Sequence, residues 1–230
     1  MTITWYGHAA FLLEGRNADG KTVRIGLDPY QAPLAGTYAP IDDLADVVAV
    51  SHENAKYHSF TGTFRNAEGD PSPVVDGLSL LGRQQPETVA GVPLTAVRVW
   101  ENDRREEPIA MIGLMLESVR VLHMGDCGHA LSPEEVAACG PVDVLLALAG
   151  GPPTLTLTDL VGFVRDLRPR VVVPMHFGND KINLRLQPLS DFLARVPPEW
   201  PVRSFETSAV TVTPETLPES TEVWVLPPAR

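Results

Sequence analysis

The chain has 230 residues, of which 44% are hydrophobic and 20% charged, and a formal net charge of −11. That composition is ordinary for a soluble globular protein long enough to bury a substantial core, and no apolar run reaches the roughly 18–20 residues that span a membrane. The acidic balance tells against a binder of nucleic-acid backbone, which draws on clustered Lys and Arg; here Arg104-Arg105 is flanked by Glu101, Asp103, Glu106 and Glu107.

The N-terminal stretch MTITWYGHAAFLLEG lacks a basic leader and a small-residue cleavage site, and Tyr6 and His8 interrupt its apolar run. It reads as the first strand of the mature fold and not as a signal peptide, so the expected location is the cytoplasm. In that setting Cys127 and Cys139 are too few for a disulfide framework and are expected to be free. Ile3–Glu14, then the turn cluster Asn17–Gly20, then Thr22–Asp28 resemble a hairpin. The Pro- and Gly-rich segment Tyr30–Asp43 is a loop. Ala45–Ser51 is a continuous β-branched run of the kind buried on both faces of a sheet. Short strands are expected at Leu78–Leu81, Leu94–Trp100 and Ile109–Leu116, with a hydrophilic tip from Glu101 to Glu107.

The second half changes rhythm. Val119–Met124, Val142–Leu148 and Val171–Pro174 are further buried-strand patterns. Ser132-Pro133-Glu134-Glu135 opens a helix, with Ser as cap, Pro in the first position and acids in the first turn. Thr158–Leu167 has helical spacing and stops at Arg168-Pro169; Leu189–Val196 is a short amphipathic helix. Val210–Val212 and Glu222–Leu226 read as closing strands. Strands first, then strand–helix–strand units, fit a pair of sheets with helices outside. With no repeat and no linker, a single domain over residues 1–230 is expected.

Most of the six histidines follow apolar strands: His52 after ADVVAVS, His58 six residues on, His129 after Val119–Met124, and His176 after VVVP. Open α/β sheets bind ligands at the carboxyl ends of their strands, and His, Asp and Glu are zinc-type ligands. The segment Ser51-His52-Glu53-Asn54-Ala55-Lys56-Tyr57-His58 resembles the H-x-H-x-D-H loop of the metallo-β-lactamase superfamily. Trp5-Tyr6-Gly7-His8-Ala9, Leu27-Asp28-Pro29, Leu122-His123-Met124-Gly125-Asp126-Cys127-Gly128-His129 and Pro174-Met175-His176 are similar, in the same order, to motifs of its ascorbate-6-phosphate-lactonase-like branch. The resemblance covers roughly residues 1–180 and implies an α/β four-layer αββα sandwich, two mixed sheets with helices on the outer faces.

The same resemblance implies a metal-dependent hydrolase of a small lactone, ester or phosphate ester, working through a metal-activated water. It carries His52, Asp126 and His176 over as ligands, with His58 joining them if the loop bulges by one residue. The departures are equally specific: Asn54 stands at the second ligand position, Lys56 at the Asp position and Tyr57 at the following His. One divalent ion, Zn or Mn, is therefore expected instead of two. Asp126 would also orient or deprotonate the water, and Lys56 would hold an anion or a developing oxyanion. Glu101 is the polar candidate at the third-His position, while His8 and Asp28 would orient ligand imidazoles. His129 would face the pocket or cap the helix at Ser132. The competing reading is a metal-free relative acting as a binding or regulatory module. The expected partner is a small molecule, with no nucleic acid and no membrane; a nuclease role is disfavoured by the charge.

Overall fold

In the computed structural model, which describes residues 1–83 and 85–230, the N-terminal apolar stretch is two strands and not one. β1 (Thr2–Gly7) and β2 (Ala10–Arg16) pair antiparallel and are separated by a turn at His8-Ala9. The break is conformational: Gly7 has φ +121° and His8 φ +49°, values that end an extended strand. Apolar residues continue on both sides of Gly7-His8, which is why the sequence reads as one strand.

β2 pairs in turn with β3 (Thr22–Leu27), and β3 runs parallel to β4 (Val47–Val50), itself parallel to β5 (Val74–Asp76). The second half supplies β6 (Glu87–Val89), β7 (Val92–Trp100), β8 (Pro108–Leu116), β9 (Val119–His123), β10 (Val144–Leu148) and β11 (Val171–Met175). Three short strands close the chain: β12 (Val202–Ser204), β13 (Ala209–Thr211) and β14 (Glu222–Val225). They assemble as a six-stranded sheet, β13-β1-β2-β3-β4-β5, and an eight-stranded sheet, β12-β14-β11-β10-β9-β8-β7-β6. Both are mixed. Between them lies one apolar core in which Ile3, Trp5, Phe11, Leu13 and Ile25 of the first sheet face residues such as Ile112, Val121, Leu146 and Val173 of the second. Each such side chain contributes about 1.5–3 kcal/mol by leaving water.

Two helices make the parallel crossovers of the larger sheet. α1 (Pro133–Ala138) joins β9 to β10, and its Ser132 cap and Glu135 form a reciprocal capping box. α2 (Leu157–Leu167) joins β10 to β11, is capped by Thr156, and ends where Arg168 turns left-handed before Pro169. A third, α3 (Leu189–Leu193), is shorter than expected. The outer face of the six-stranded sheet differs from expectation: among the described residues it is covered by loops. Tyr30, Tyr38, Ile41, Phe64 and Ile182 pack there on Tyr6, Leu12 and Val48. Gly26 makes room for this layer, since a Cβ there would lie 2.7 Å from the Phe64 ring. The segment Leu78–Leu81 is also corrected. It holds a 3-10 turn, Gly77–Leu80, because the Asp76 carboxylate accepts from the Leu78 amide and starts a turn in place of a strand. No helix of the described residues is long and apolar enough to cross a membrane.

Candidate metal centre

Five chain segments end at one edge of the sandwich. β3 delivers Asp28, β4 delivers Ser51 and His52, β9 leads to Asp126, β11 delivers His176, and the β1–β2 turn presents His8. The two sheets are joined here by backbone: the His176 amide donates to the His8 carbonyl at 3.0 Å, and the Ala110 amide to the Ser51 carbonyl at 3.0 Å. His8, Asp28 and His176 all adopt left-handed backbone (φ +49°, +40° and +53°), a strained state for residues with a Cβ that concentrates at functional sites.

Asp28 is fully buried and organises the loop after β4. Its Oδ1 accepts from the Ser51 amide at 2.7 Å, and its Oδ2 accepts from the Ser51 hydroxyl at 2.6 Å and lies 3.0 Å from His58 Nδ1. The Ser51 hydroxyl in turn contacts His52 Nδ1 at 2.9 Å. Both imidazoles are thereby oriented through Nδ1, leaving Nε2 free, as is usual for metal-bound His. The loop absorbs its extra residue by winding around Asn54, whose carbonyl accepts from the amides of Tyr57, His58 and Ser59 at 3.1, 2.8 and 3.0 Å. That turn brings His58, and not Tyr57, into the cluster.

The free atoms converge. His58 Nε2 lies 2.9 Å from Asp126 Oδ2, and His176 Nε2 lies 3.0 Å from Asp126 Oδ1. Neither approach has hydrogen-bond direction: His58 Nε2 and Asp126 Oδ1 are buried without a hydrogen-bond partner, as are His52 Nε2 and both ring nitrogens of His8. Ligand-type atoms of His52, His58 and Asp126, and separately of His8, His58 and His176, lie within 4.8 Å of one another. Buried polar atoms left unpaired cost about 1–3 kcal/mol each, so a set of them facing one point fits a divalent cation. Nitrogen donors with one carboxylate are the donor set of zinc-type sites.

Burial raises the Asp126 carboxyl, but His58 and His176 outweigh it and hold it well below the carboxylate range. Burial depresses His58, yet Asp126 and Asp28 on either side push it up to about 10. Burial, with the neighbouring imidazoles, keeps His8 and His52 low and therefore neutral.

The structure brings His52, His58, Asp126 and His176 together, and it adds His8. The sequence reading gave His8 a supporting role, orienting other imidazoles; with no hydrogen bond from either nitrogen, it has no such role. Asp28, given the same role, does orient imidazoles, His58 directly and His52 through Ser51. Asn54 serves the loop turn. Lys56 lies with its Nζ 4.7 Å from the centre of the Tyr57 ring, which packs 5.3 Å from His8. Glu101 is in neither ligand group; its carboxyl faces Glu107 and Asp126 and is pushed up to about 7 by burial and those neighbours. His129 neither faces the centre nor caps α1. Its Nε2 accepts from the Trp100 amide at 3.2 Å, so Nδ1 carries the proton and donates to the Ala130 carbonyl at 2.8 Å.

A family profile described as "Beta-lactamase superfamily domain" matches residues 2–176, the span that holds every donor atom above. The chain belongs to this superfamily. Within it, the metallo-β-lactamase fold is matched by the crystal structure of a Thermotoga maritima protein assigned as a Zn-dependent hydrolase of the metallo-beta-lactamase superfamily. That structure is 26% identical, has a TM-score of 0.70, and the match covers 98% of this chain and 97% of that one. A UPF0173 protein of Pyrococcus furiosus is 31% identical over 77% of this chain and 84% of its own length. A UPF0173 metal-dependent hydrolase of Archaeoglobus fulgidus is 27% identical over the same shares. The superfamily assignment thus rests on sequence and on fold.

Proposed function

We propose that this member of the metallo-β-lactamase superfamily is a metal-dependent hydrolase that holds one divalent ion, Zn or Mn, among His52, His58, Asp126 and His176. It acts on a small lactone, ester or phosphate ester. The observation that supports this most directly is the convergence of buried, unpaired donor atoms on Asp126. The limit of one ion draws on the loop, where Asn54, Lys56 and Tyr57 stand at positions that would otherwise supply ligands.

When bound, such an ion supplies Lewis acidity and a water acidic enough to react near neutral pH. The chain's own groups do the rest. Asp28 and Ser51 hold the two loop imidazoles in their donor tautomers. Asp126, ionised, is the base placed to take a proton from an attacking water. Glu101, with a pKa of about 7, shuttles a proton at the rim beside Asp126. Lys56, over the Tyr57 ring, offers its charge to an anionic substituent of the substrate.

The test is elemental analysis of protein purified without chelator, with hydrolysis assays on lactone, ester and phosphate-ester panels. At most one equivalent of metal is expected, His176→Ala should lose metal and activity together, and Lys56→Met should weaken anionic substrates while metal is retained. Two tight equivalents would overturn the stoichiometry. A second reading, a metal-free binding module, draws on His58: flanked by Asp28 and Asp126, it closes a buried charge network without any ion. Under that reading His176→Ala changes stability alone, and ligand affinity depends on Lys56.

A further inference from the structure

The loop between His52 and His58 has lost three ligand-type residues at Asn54, Lys56 and Tyr57, and the structure shows that none is recovered there. Asn54 is within reach of the Tyr57 amide through its Oδ1 (3.3 Å), and the Tyr57 hydroxyl donates to Asn183 at 2.8 Å, away from the cluster. The side chain standing beside His58 and His176 instead is His8, from a different part of the chain. Its ring centre lies 4.2 Å from that of His176 and 5.1 Å from that of His58.

Three independent features aim it there. The His8 ring is 1% exposed and neither nitrogen has a hydrogen-bond partner, an arrangement that costs about 1–3 kcal/mol unless something else binds them. Its backbone is left-handed (φ +49°) and fixed from both sides, its carbonyl accepting from the Trp5 indole at 3.1 Å and the His176 amide at 3.0 Å. Gly7 before it must lack a Cβ, which would lie 2.4 Å from the Tyr38 ring. A turn residue of structural use alone would satisfy its imidazole with backbone or solvent, as His129 does.

We infer that His8 is itself a metal ligand of this centre, a further imidazole that stands with His58 and His176 beside Asp126. This rests on the metal-dependent hydrolase reading and deepens it. A further imidazole added to His52, His58, His176 and the Asp126 carboxylate favours a zinc-type ion over manganese, which prefers oxygen donors. His8 thus strengthens the preference for Zn over Mn.

The experiment is equilibrium competition of Zn2+, and separately Mn2+, against a chromophoric chelator for wild type, His8→Ala, Asp28→Asn and His176→Ala, with far-UV circular dichroism of each. His8→Ala should weaken Zn2+ by more than the roughly 10–100-fold that loss of an outer hydrogen-bond partner costs, should exceed Asp28→Asn, and should narrow the Zn/Mn preference. If His8→Ala binds Zn2+ as wild type does while His176→Ala does not, His8 is no ligand and the hydrolase reading stands. A wild type that takes up no Zn2+ overturns both. Should His8→Ala not fold, ring-nitrogen NMR of wild type decides: the His8 resonances shift on adding Zn2+ if the inference holds, and stay in place if it fails.

Discussion

Asp28 carries more of the site than any residue that would touch a metal. One buried carboxylate fixes Ser51, His58 and, through the Ser51 hydroxyl, His52. Asp28→Asn keeps the shape but loses the charge and one acceptor, so two donor imidazoles are released at once. Metal affinity should fall by about 10–100-fold with the fold intact, measurable by chelator competition. Glu101 allows a test by pH. Its pKa is about 7 in the folded chain against 4.5 when free, raised by burial and by Glu107 and Asp126. Below pH 4.5 both states hold the proton, so this group contributes fully; as pH rises from 4.5 to 7 the unfolded chain releases it first and stability falls, levelling above 7. Urea midpoints of Glu101→Gln should show that fall removed, the variant gaining on wild type across the same window. A constant offset between the two would show that Glu101 does not face the carboxylates.

At the scale of elements, the site depends on strand ends packed backbone to backbone. Gly150, just after β10, faces the His176 carbonyl, and a Cβ there would lie 2.1 Å from that oxygen. Gly150→Ala must push β11's end outward, at a cost of about 1–3 kcal/mol, seen as a lower urea midpoint accompanied by weaker metal binding; unaltered affinity would show that His176 adjusts freely. These strand ends were also the legible part of the sequence. Runs such as VVAV and VVVPM are so strongly buried-strand in pattern that the polar residues closing them, His52 and His176, stand out. The β1–β2 turn was not legible, because Gly7-His8 breaks an apolar run that continues on both sides. Nor was the loop layer over the six-stranded sheet: Tyr30, Tyr38, Ile41 and Phe64 reach it at no regular period, so no pattern announces them. The metal loop was half legible. The positions lost at Asn54, Lys56 and Tyr57 are visible in the sequence, whereas the approach of His8 to His58 and His176 is a fact of tertiary structure.

For the whole molecule, the decisive point is that each sheet contributes to the centre. His8, His52 and His58 belong to the six-stranded sheet and its loops, Asp126 and His176 to the eight-stranded one. An ion bound there links the two layers, and a ligand that binds only the folded chain stabilises it by about 2.7 kcal/mol at a hundred times its dissociation constant. Thermal unfolding with added Zn2+ should therefore occur at higher temperature than after chelator treatment, and His176→Ala should abolish the difference. The net charge of −11 works in the same direction by concentrating cations near the surface. The two-sheet origin of the donors has a further consequence. The distance between the sheets, set by inward side chains such as Leu13 and Leu146, is also the distance between the two halves of the donor set. Metal sites tolerate only about 0.2 Å in bond length, and a truncated core collapses partway into its cavity. Interior packing remote from every donor atom thus acts as a calibration of ion size, and drift in core volume among relatives would retune which metal each one prefers without a single ligand changing.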